Sequence, residues 1–500
     1  MTDHSLNIVD WIIIILYGIG MLIVGFYFSR KNKNIEDYLL GGRNMKSWKV
    51  GVSLFATMFS AITYLSLPGE MIKYGPMMFA TIATLPFVYF IVAYFFIPFI
   101  MKLNVSSAYE LLEKKLGRKN RIIASVYFLI MRILWMSVII YMVSQKIIVP
   151  IMNWSEETAF MVSIFMGVIT VIYTSSGGLR SVVITDVIQS FILFGGSILT
   201  IIIIVKSVGG ISGIIPDSYP EEWSGWVFFD TNVRVSFMTA FISTFGWFVC
   251  TAGSDQMAIQ RYLATKDIKA AKKMYLSSIL ASILVNVLLF VLGLALWSFI
   301  KLHPEILGNL SIQKGADSIF PRFIAFGLPI GFSGLVLASL LAAAMSSLSS
   351  GVNSSSLTII DDFILNKKKG TLSDSKKIIL AQVISVIIGI VIVLLSLVIA
   401  NIKGNLLELT YRTSNLFVAP LFVPFFMAMF IKKTSSSATF TGTVASGITS
   451  VLISFSQELF DVNISFLWII PGSLIVGISI SLILSYIGPF RGSIEKIKAA

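Results

Sequence analysis

Hydroxyl side chains are concentrated in one apolar stretch of the sequence, residues 341–356. Residues three and four positions apart share one face of a helix, so several of these side chains would form a narrow polar stripe. The stripe consists of Ala343, Ser346, Ser349 and Ser350, with Ser347 on its shoulder. Hydroxyl and carbonyl oxygens suit a small hard cation, whereas small residues also allow close helix packing in membranes. The density of hydroxyls favours the cation site.

A second polar stretch, residues 53–69, mixes serine and threonine with apolar residues and closes with Pro68 and Gly69. A helix that unwinds here would be tolerated at membrane depth only where its backbone is buried or lines a wet cavity. Its exposed carbonyl oxygens would then bind a cation, as in transporters with discontinuous helices. The alternative is an intact helix whose hydroxyls bond to carbonyls one turn earlier, and the sequence leaves both open.

Two charged residues lie inside apolar stretches, where an ionised side chain is costly and usually functional. Asp186 falls in the first turns of its segment, so it is either a cation ligand or a residue at headgroup level. At about 1.5 Å of rise per residue, Arg132 lies about 16 Å into its segment, and residues 56–60 and 346–350 lie at similar depths. These depths converge near the bilayer midplane, where alternating-access carriers bind solute and ion.

The overall composition is that of a membrane protein. Hydrophobic residues make up 56% of the 500 residues, charged residues 13%, and the mean hydropathy is +0.88, more than a water-soluble core can absorb. The net charge of +13 lies in short basic clusters between apolar runs, which favours a lipid bilayer over nucleic acid as the partner. One cysteine and two histidines leave little material for thiol, zinc or histidine catalysis, so we do not expect an enzyme.

Apolar segments long enough to cross a bilayer recur along the whole chain. We predict an all-α polytopic protein with about thirteen transmembrane helices of about 20 residues each. The segments lie near 8–29, 50–72, 77–101, 121–149, 159–175, 183–205, 235–254, 276–300, 320–360, 376–400, 405–431, 438–456 and 464–487. Lys and Arg fall mainly in alternate connections, which places the N-terminus outside and the C-terminus in the cytoplasm. The expected location is the plasma membrane, in a bacterium the cytoplasmic membrane.

The thirteen predicted segments can be grouped, in chain order, as one helix, a block of five, a second block of five and a final two. Two consecutive blocks of five helices have opposite orientations because five is odd, and this is the arithmetic of an inverted repeat. The chain then divides into an N-terminal helix and loop (1–47), a first block (48–208), a second, inverted block (234–433) and two C-terminal helices with a short tail (434–500).

Five short motifs, in order and each in its expected topological place, resemble the sodium:solute symporter family. This family includes the sodium-coupled glucose, proline, iodide, monocarboxylate and sialic acid carriers. The motifs are DYLLGGR at 37–43, SAYE at 107–110, the run from Gly177-Gly178 to TDVIQ at 185–189, Asp255-Gln256 with QRYLATKD at 260–267, and the serine run of 346–356.

The resemblance implies the five-plus-five inverted-repeat fold of the leucine-transporter type, with sodium as the coupling ion and no other cofactor. It implies a primary sodium site formed by the backbone carbonyls of Ala56, Phe59 and Ala343 and the hydroxyls of Ser346 and Ser347. It also implies a second sodium site, present in only some members, formed by Asp186, Ser346, Ser349 and Ser350.

The same resemblance bears on the solute. In the sialic acid branch an arginine on the fourth segment pairs with the solute carboxylate, but that position is Trp135 here, and Arg132 lies about one turn earlier. Two further positions that are polar in that branch are Met58 and Ile82, which argues against sialic acid itself. Residues 68–75 resemble the monocarboxylate, multivitamin and iodide carriers, so we expect an anionic solute. The predicted solute ligands are Ser60, Thr63, Arg132 and Trp135.

For Arg132 the alternative is a structural pair with a helix-end carbonyl or a glutamate. We therefore expect a secondary active transporter that couples inward sodium movement to uptake of a small organic, carboxylate-bearing solute by alternating access. A neutral sugar or polyol is the alternative solute. A channel is less expected because no filter or charged ring repeated by symmetry is evident. A membrane sensor is less expected because the tail after residue 487 is too short for an output domain.

Overall fold

The computed structural model describes residues 6–487 apart from gaps at 31–33, 104, 106, 153, 222, 231–232, 308–311, 365–372, 400–411, 414 and 463. These described residues form helices and no β-strand. Nine of the described helices are long and apolar enough to cross a membrane, or ten if one bent pair counts as a single span. The prediction of an all-α polytopic membrane protein is confirmed.

We number the α-helices in chain order. The first half of the chain contains α1 (Ile8–Ser29), α2 (Ile35–Leu40), α3 (Ser47–Met58), α4 (Ala61–Tyr74), α5 (Leu85–Ile91), α6 (Ile97–Met101), α7 (Ala108–Leu116), α8 (Arg118–Tyr141), α9 (Val149–Met152) and α10 (Ala159–Ser207). The second half contains α11 (Phe237–Ser254), α12 (Gln256–Leu263), α13 (Ile268–Leu302), α14 (Ile312–Phe326), α15 (Phe332–Thr358), α16 (Asp374–Ile399), α17 (Val418–Phe430), α18 (Ser436–Ser454), α19 (Ser456–Phe460) and α20 (Ile469–Tyr486).

The helices differ from the predicted segments at two places. Segments 159–175 and 183–205 are two arms of the 49-residue helix α10. The prediction of one span over 320–360 is wrong, because α14 and α15 are separate helices. The turn between them contains Gly331 at φ +85°, a left-handed conformation that interrupts a helix. Most of the first half of segment 405–431 lies outside the described residues.

The second predicted segment is a broken helix. α3 and α4 are bent by 64° relative to each other, and the two residues between them, Phe59 and Ser60, have extended backbone. The break therefore precedes Pro68 and Gly69, which lie inside α4. Because α3 ends at Met58, its last carbonyl oxygens have no amide partner further along the helix and are available to a ligand.

A left-handed glycine divides α10 into its two arms. Gly178 has φ +63°, and a Cβ atom there would lie 2.5 Å from the carbonyl oxygen of Tyr38. The segment containing α2 packs into this turn. The Tyr38 hydroxyl donates to the carbonyl of Ser175 at 2.7 Å, and the Arg180 guanidinium donates to Asp37 at 2.9 Å. Two of the family-like motifs thus meet at one corner of the molecule.

A second break separates α11 from α12. Asp255 lies between them with extended backbone, and its carboxylate accepts from the amide of Met257 at 2.8 Å. Every residue of α12 is buried. The broken pairs α3–α4 and α11–α12 each begin one of the predicted five-helix blocks. Helix α15, itself almost completely buried, packs against α3, α4 and α12, so both breaks adjoin one central helix.

The N-terminal helix α1 packs against α10 and α15. Asp10 joins α1 to the start of α15, because its carboxylate accepts from the amides of Gly331 at 2.9 Å and Gly334 at 2.7 Å. A carboxylate at a helix N-terminus satisfies amides that have no partner within the helix and interacts favourably with the helix dipole. This contact helps to position α15 and the serine stripe that it carries.

Candidate ion and solute sites

The broken helix and the serine stripe of α15 face each other. The Ser346 hydroxyl lies 3.0 Å from the carbonyl oxygen of Ala56 and 3.1 Å from that of Ala343. The Ser347 hydroxyl lies 3.3 Å from the carbonyl oxygen of Phe59. All five residues are buried. The structure therefore brings together the complete set of residues that the sequence predicts for the primary sodium site.

This oxygen set is suited to a small monovalent cation. Carbonyl oxygens of unwound helix segments coordinate sodium in transporters with discontinuous helices. Ala343 is three and four positions from Ser346 and Ser347, so α15 presents all three on adjoining parts of one face. None of the five ligands carries a formal charge, whereas calcium sites generally use several carboxylates. The chemistry of the set thus favours a singly charged ion.

A buried carboxylate lies beside the next turn of α15. Asp186, on the second arm of α10, accepts from the Ser53 hydroxyl at 2.6 Å through Oδ2, and the same oxygen lies 3.4 Å from the hydroxyl of Ser350. The other carboxylate oxygen, Oδ1, is buried without a hydrogen-bond partner. Such an atom is costly unless a donor or a cation satisfies it. Asp186 and Ser350, both predicted for the second sodium site, are therefore in contact.

The other two residues predicted for the second site lie on the same buried face of α15. The Ser349 hydroxyl donates to the carbonyl oxygen of Ser346 at 3.1 Å, and the Ser346 hydroxyl is turned to the primary site. In this conformation the three serines lie along one face of α15, and Asp186 of α10 contacts only Ser350 among them.

Arg261 is a site residue to which the sequence analysis assigned no role. Its side chain is fully buried on α12. Nη2 donates to the Ser350 hydroxyl at 2.6 Å and lies 3.4 Å from Oδ2 of Asp186, while Nε donates to the Ser53 hydroxyl at 3.1 Å. A signal was present, because Arg261 lies in the family-like QRYLATKD stretch shortly after Asp255 and a buried intramembrane arginine needs a partner.

A cavity of about 190 Å³ lies beside the broken helix. Three of the four predicted solute ligands, Ser60, Thr63 and Trp135, line it. The rest of the polar lining comes from Ser66, Thr81, Thr244, Ser282, Asn286 and Asn415, and the apolar lining includes Met58, Ile82, Trp247 and Phe248. None of the described residues that line this cavity is charged. A solute here would contact hydroxyl and amide groups between aromatic walls.

Arg132, the fourth predicted solute ligand, is not among the residues that line the cavity. It forms an ion pair with Asp255, and both side chains are buried. Its guanidinium carbon also lies 4.8 Å from the ring centroid of Trp135, so Trp135 contacts both the arginine and the cavity. The Arg132 side chain is therefore paired with Asp255 and does not line the cavity. The partner of Arg132 is an aspartate at the α11–α12 break, since an unpaired arginine at this depth would be costly.

Sequence comparisons are consistent with this geometry. The model of the sodium:solute symporter family matches residues 38–446, which include both sets of candidate ion ligands. The sodium/sialic acid symporter SiaT of Proteus mirabilis is 29% identical over 474 residues, 92% of each chain. Sodium-coupled monocarboxylate transporter 1 of Mus musculus is 27% identical over 458 residues, 88% of this chain and 73% of the relative.

Solved structures share the fold. A sodium-coupled sialic acid symporter in a substrate-bound outward-open state matches with a TM-score of 0.85 and 26% identity, covering 97% of this chain and 100% of that one. MHP1, a nucleobase-cation-symport-1 family transporter, matches with a TM-score of 0.55 and 13% identity over 93% of this chain and 98% of its own, a likeness of fold alone. The expected fold of the leucine-transporter type is confirmed by these matches.

Proposed function

The chain belongs to the sodium:solute symporter family, and on that premise we propose that it takes up a small carboxylate-bearing solute together with two sodium ions. It is a multi-pass membrane protein that transports a solute with sodium as the coupling ion, and it is not an enzyme. The proposed primary ion ligands are Ala56, Phe59, Ala343, Ser346 and Ser347. The proposed second set is Asp186, Ser346, Ser349 and Ser350.

The energetics of such coupling are favourable. One sodium ion that moves inward through about 100 mV releases about 2.3 kcal/mol. A tenfold sodium gradient adds about 1.4 kcal/mol. For a neutral solute one ion can therefore sustain a gradient of roughly 500-fold, and two ions about the square of that ratio. A singly charged anion moves inward against the potential at a cost of about 2.3 kcal/mol, so one ion would sustain only about a tenfold gradient of it. Two ions also supply the positive charge that offsets an anionic solute.

The observation that carries the carboxylate proposal is the N-terminus of α4 at the cavity. Ser60 is the N-cap residue of α4, and its side chain makes no capping hydrogen bond. The first amides of α4 have no acceptor within the helix, and a helix N-terminus favours anionic groups. Ser60 and Thr63 line the cavity at this point. A carboxylate could therefore bind there without a charged side chain, and Arg132 is not needed as a ligand.

A neutral sugar or polyol is the second candidate solute. The observation that favours it is the uncharged polar lining of the cavity, which includes two amide side chains, Asn286 and Asn415. Amides and hydroxyls can both donate to and accept from sugar hydroxyls, and Trp135 and Trp247 provide flat apolar surfaces for a ring. This alternative differs from the first in the charge of the solute, which experiment can test directly.

Ligand-dependent thermal stability of the purified protein tests the proposal. Carboxylates, sugars, polyols, amino acids and vitamins would each be added with sodium chloride or with choline chloride at the same ionic strength. We expect carboxylates to raise the melting temperature only with sodium, and their amide analogues to have no effect. Stabilisation by a neutral sugar, with no response to any carboxylate, would contradict the carboxylate proposal and support the second candidate.

A pair of variants then tests, in uptake assays, whether Thr63 contacts the solute. Thr63→Val keeps the side-chain shape but removes the hydroxyl, so it should raise the half-saturating solute concentration about tenfold, in keeping with about 1–3 kcal/mol for an unsatisfied buried partner. Thr251→Val is the matched control, because the Thr251 hydroxyl donates to the carbonyl of Trp247 within α11 and Thr251 is not among the cavity-lining residues. Equal half-saturation in both variants would remove Thr63 from the solute site.

We also propose that the N-terminus lies outside and the C-terminus in the cytoplasm of a plasma membrane. Clusters of Lys and Arg in the connections 30–49, 101–121 and 261–273 support this orientation, since short cytoplasmic loops are enriched in these residues. We propose that the chain divides into 1–47, 48–208, 234–433 and 434–500. In this orientation the two five-helix blocks, 48–208 and 234–433, cross the membrane in opposite directions. In this arrangement α12 lies at the cytoplasmic end of its broken pair.

A further inference from the structure

Arg261 contacts three side chains at once in the region of the second ion site. Its Nη2 donates to the Ser350 hydroxyl at 2.6 Å and lies 3.4 Å from Asp186. Its Nε donates at 3.1 Å to the hydroxyl of Ser53, which itself donates to Asp186 at 2.6 Å. All four side chains are buried. The guanidinium is thus a fully buried cation held by residues of the proposed second sodium site.

The contacts of Ser350 conflict with ion binding. A serine hydroxyl has one donor hydrogen and two acceptor lone pairs. In this structure it accepts from Arg261 and lies 2.8 Å from the hydroxyl of Thr57 and 3.4 Å from Asp186. These contacts use its hydrogen-bonding capacity, so Ser350 can become a sodium ligand only if some of them are released.

Charge leads to the same conclusion. Asp186 and Arg261 together are neutral, and a sodium ion added to the pair would leave a net positive charge in a buried region. Two cations at close range repel strongly where the effective dielectric constant is low, and burial of an uncompensated charge is costly. Asp186 can serve one of the two cations well, but it cannot neutralise both.

Other contacts of α12 hold Arg261 in its position. Every residue of α12 is buried. The neighbouring residue Gln260 donates to the carbonyl of Leu39 at 2.6 Å and accepts from the Ser354 hydroxyl at 2.7 Å. Gln256 accepts from the amide of Ala108 at 2.7 Å. Arg261 therefore belongs to a group of contacts that fasten α12 to α15, to the segment of α2 and to α7.

We propose that Arg261 is a tethered cation that competes with the second sodium ion for Asp186 and Ser350. This inference rests on the second sodium site of the proposed function. Arg261 is a positioning residue, because its effect on transport is exerted through Asp186 and Ser350.

Sodium affinity tests the competition directly. The assays would use the full-length protein with Ser347→Ala, which weakens the primary site, and would follow melting temperature against sodium chloride with choline chloride replacement. In this background Arg261→Gln should tighten sodium binding at least tenfold. Arg261→Lys should give an intermediate change, because lysine keeps the charge but lacks the planar fork that reaches two partners. Asp186→Asn should remove the part of the sodium response that Arg261→Gln tightens, leaving only that of the weakened primary site.

The accessibility of α12 provides a second measurement that does not depend on Arg261→Gln being stable. Ala264, at the end of α12, is buried, and the buried Cys250 is the one cysteine of the chain. In a protein with Cys250→Ala, Ala264→Cys and native Arg261, sodium alone should leave the reaction with a small thiol reagent slow, because a coupled carrier does not open its cytoplasmic end without solute. Adding Asp186→Asn, which removes one partner of Arg261, should speed the reaction with or without sodium.

The outcomes separate the inference from the function on which it rests. If Asp186→Asn keeps the full sodium response, the second sodium site itself is wrong. If Asp186→Asn loses that response but Arg261→Gln and Arg261→Lys both show unaltered sodium affinity, the site stands and the competition is wrong. Labelling of Ala264→Cys that Asp186→Asn leaves unchanged would overturn the role of Asp186 in holding Arg261.

Discussion

Two serine hydroxyls complete the proposed primary ion site, whose other proposed ligands are backbone carbonyl oxygens. Removing either hydroxyl would leave sodium with one ligand fewer in a buried place where water cannot readily replace it. We expect Ser346→Ala and Ser347→Ala each to raise the half-saturating sodium concentration about tenfold, which corresponds to about 1.4 kcal/mol. Solute uptake measured against sodium concentration checks this prediction.

Ser356→Ala is the matched control for these variants. Ser356 lies on the same helix and is equally buried, but its hydroxyl donates to the carbonyl of Ala381 at 2.9 Å, outside both proposed ion sites. Its sodium dependence should equal that of the wild type. Wild-type sodium affinity in Ser346→Ala and Ser347→Ala as well would exclude the primary site.

We propose that the buried pair of Arg132 and Asp255 stabilises the fold. Removing one partner of a buried ion pair typically costs about 3–5 kcal/mol, because the other charge is left unpaired. We expect Arg132→Met to lower the melting temperature and the yield of folded protein strongly. Combining it with Asp255→Asn should recover most of the loss. Thermal unfolding and size-exclusion chromatography of the single and double variants measure this coupling.

A different result would restore the role that the sequence suggested for Arg132. If Arg132→Met were as stable as the wild type and lost uptake of an acidic solute while neutral solutes were still carried, the arginine would act on the solute. The ion pair with Asp255 would then be a state that solute binding breaks.

At the scale of the elements, the interruptions in the helices place the ligands. Gly178 interrupts α10 with a left-handed residue against Tyr38. Gly178→Ala would combine an unfavourable backbone conformation, which costs about 1–3 kcal/mol, with a close contact to the carbonyl of Tyr38. We expect a clearly lower melting temperature and weaker docking of α2 on α10. Thermal unfolding in detergent measures the first effect.

Gly195→Ala is the control in the same helix. A Cβ atom at Gly195 would meet no atom within 4 Å, and its φ is not left-handed. Alanine is favoured over glycine in a helix by about 1 kcal/mol, so this variant should be as stable as the wild type or more so. If both variants melt at the same temperature, the turn at Gly178 does not depend on glycine.

For the whole molecule, orientation across the membrane can be tested with single cysteines. Cys250 is buried, so Cys250→Ala provides the background. Ser155 is exposed before α10, and the side chain of Lys266 is 68% exposed between α12 and α13. We expect Ser155→Cys to react with an impermeant maleimide in intact cells and Lys266→Cys only after permeabilisation. The opposite pattern would invert the proposed orientation and place α12 at the outer end.

The membrane-protein class and the polar face of α15 could both be predicted from the sequence. A helix that crosses the bilayer needs about 20 apolar residues, whichever helices pack beside it. Hydropathy was therefore sufficient to predict an all-α membrane protein. Helical periodicity was likewise sufficient to place Ser346, Ser349 and Ser350 on one face of a helix. Both are local properties, since each depends on the spacing of residues within one segment.

The contacts between polar groups of distant segments became known only from the tertiary structure. The break in the second segment lies at Phe59 and Ser60 rather than at Pro68, Arg132 pairs with Asp255, and Arg261 reaches Asp186 from 75 positions away. The physical reason is that a buried charge must find its counter-charge on whichever helix packs beside it. That neighbour is set by the packing of segments distant along the chain, which periodicity and hydropathy within a segment do not encode.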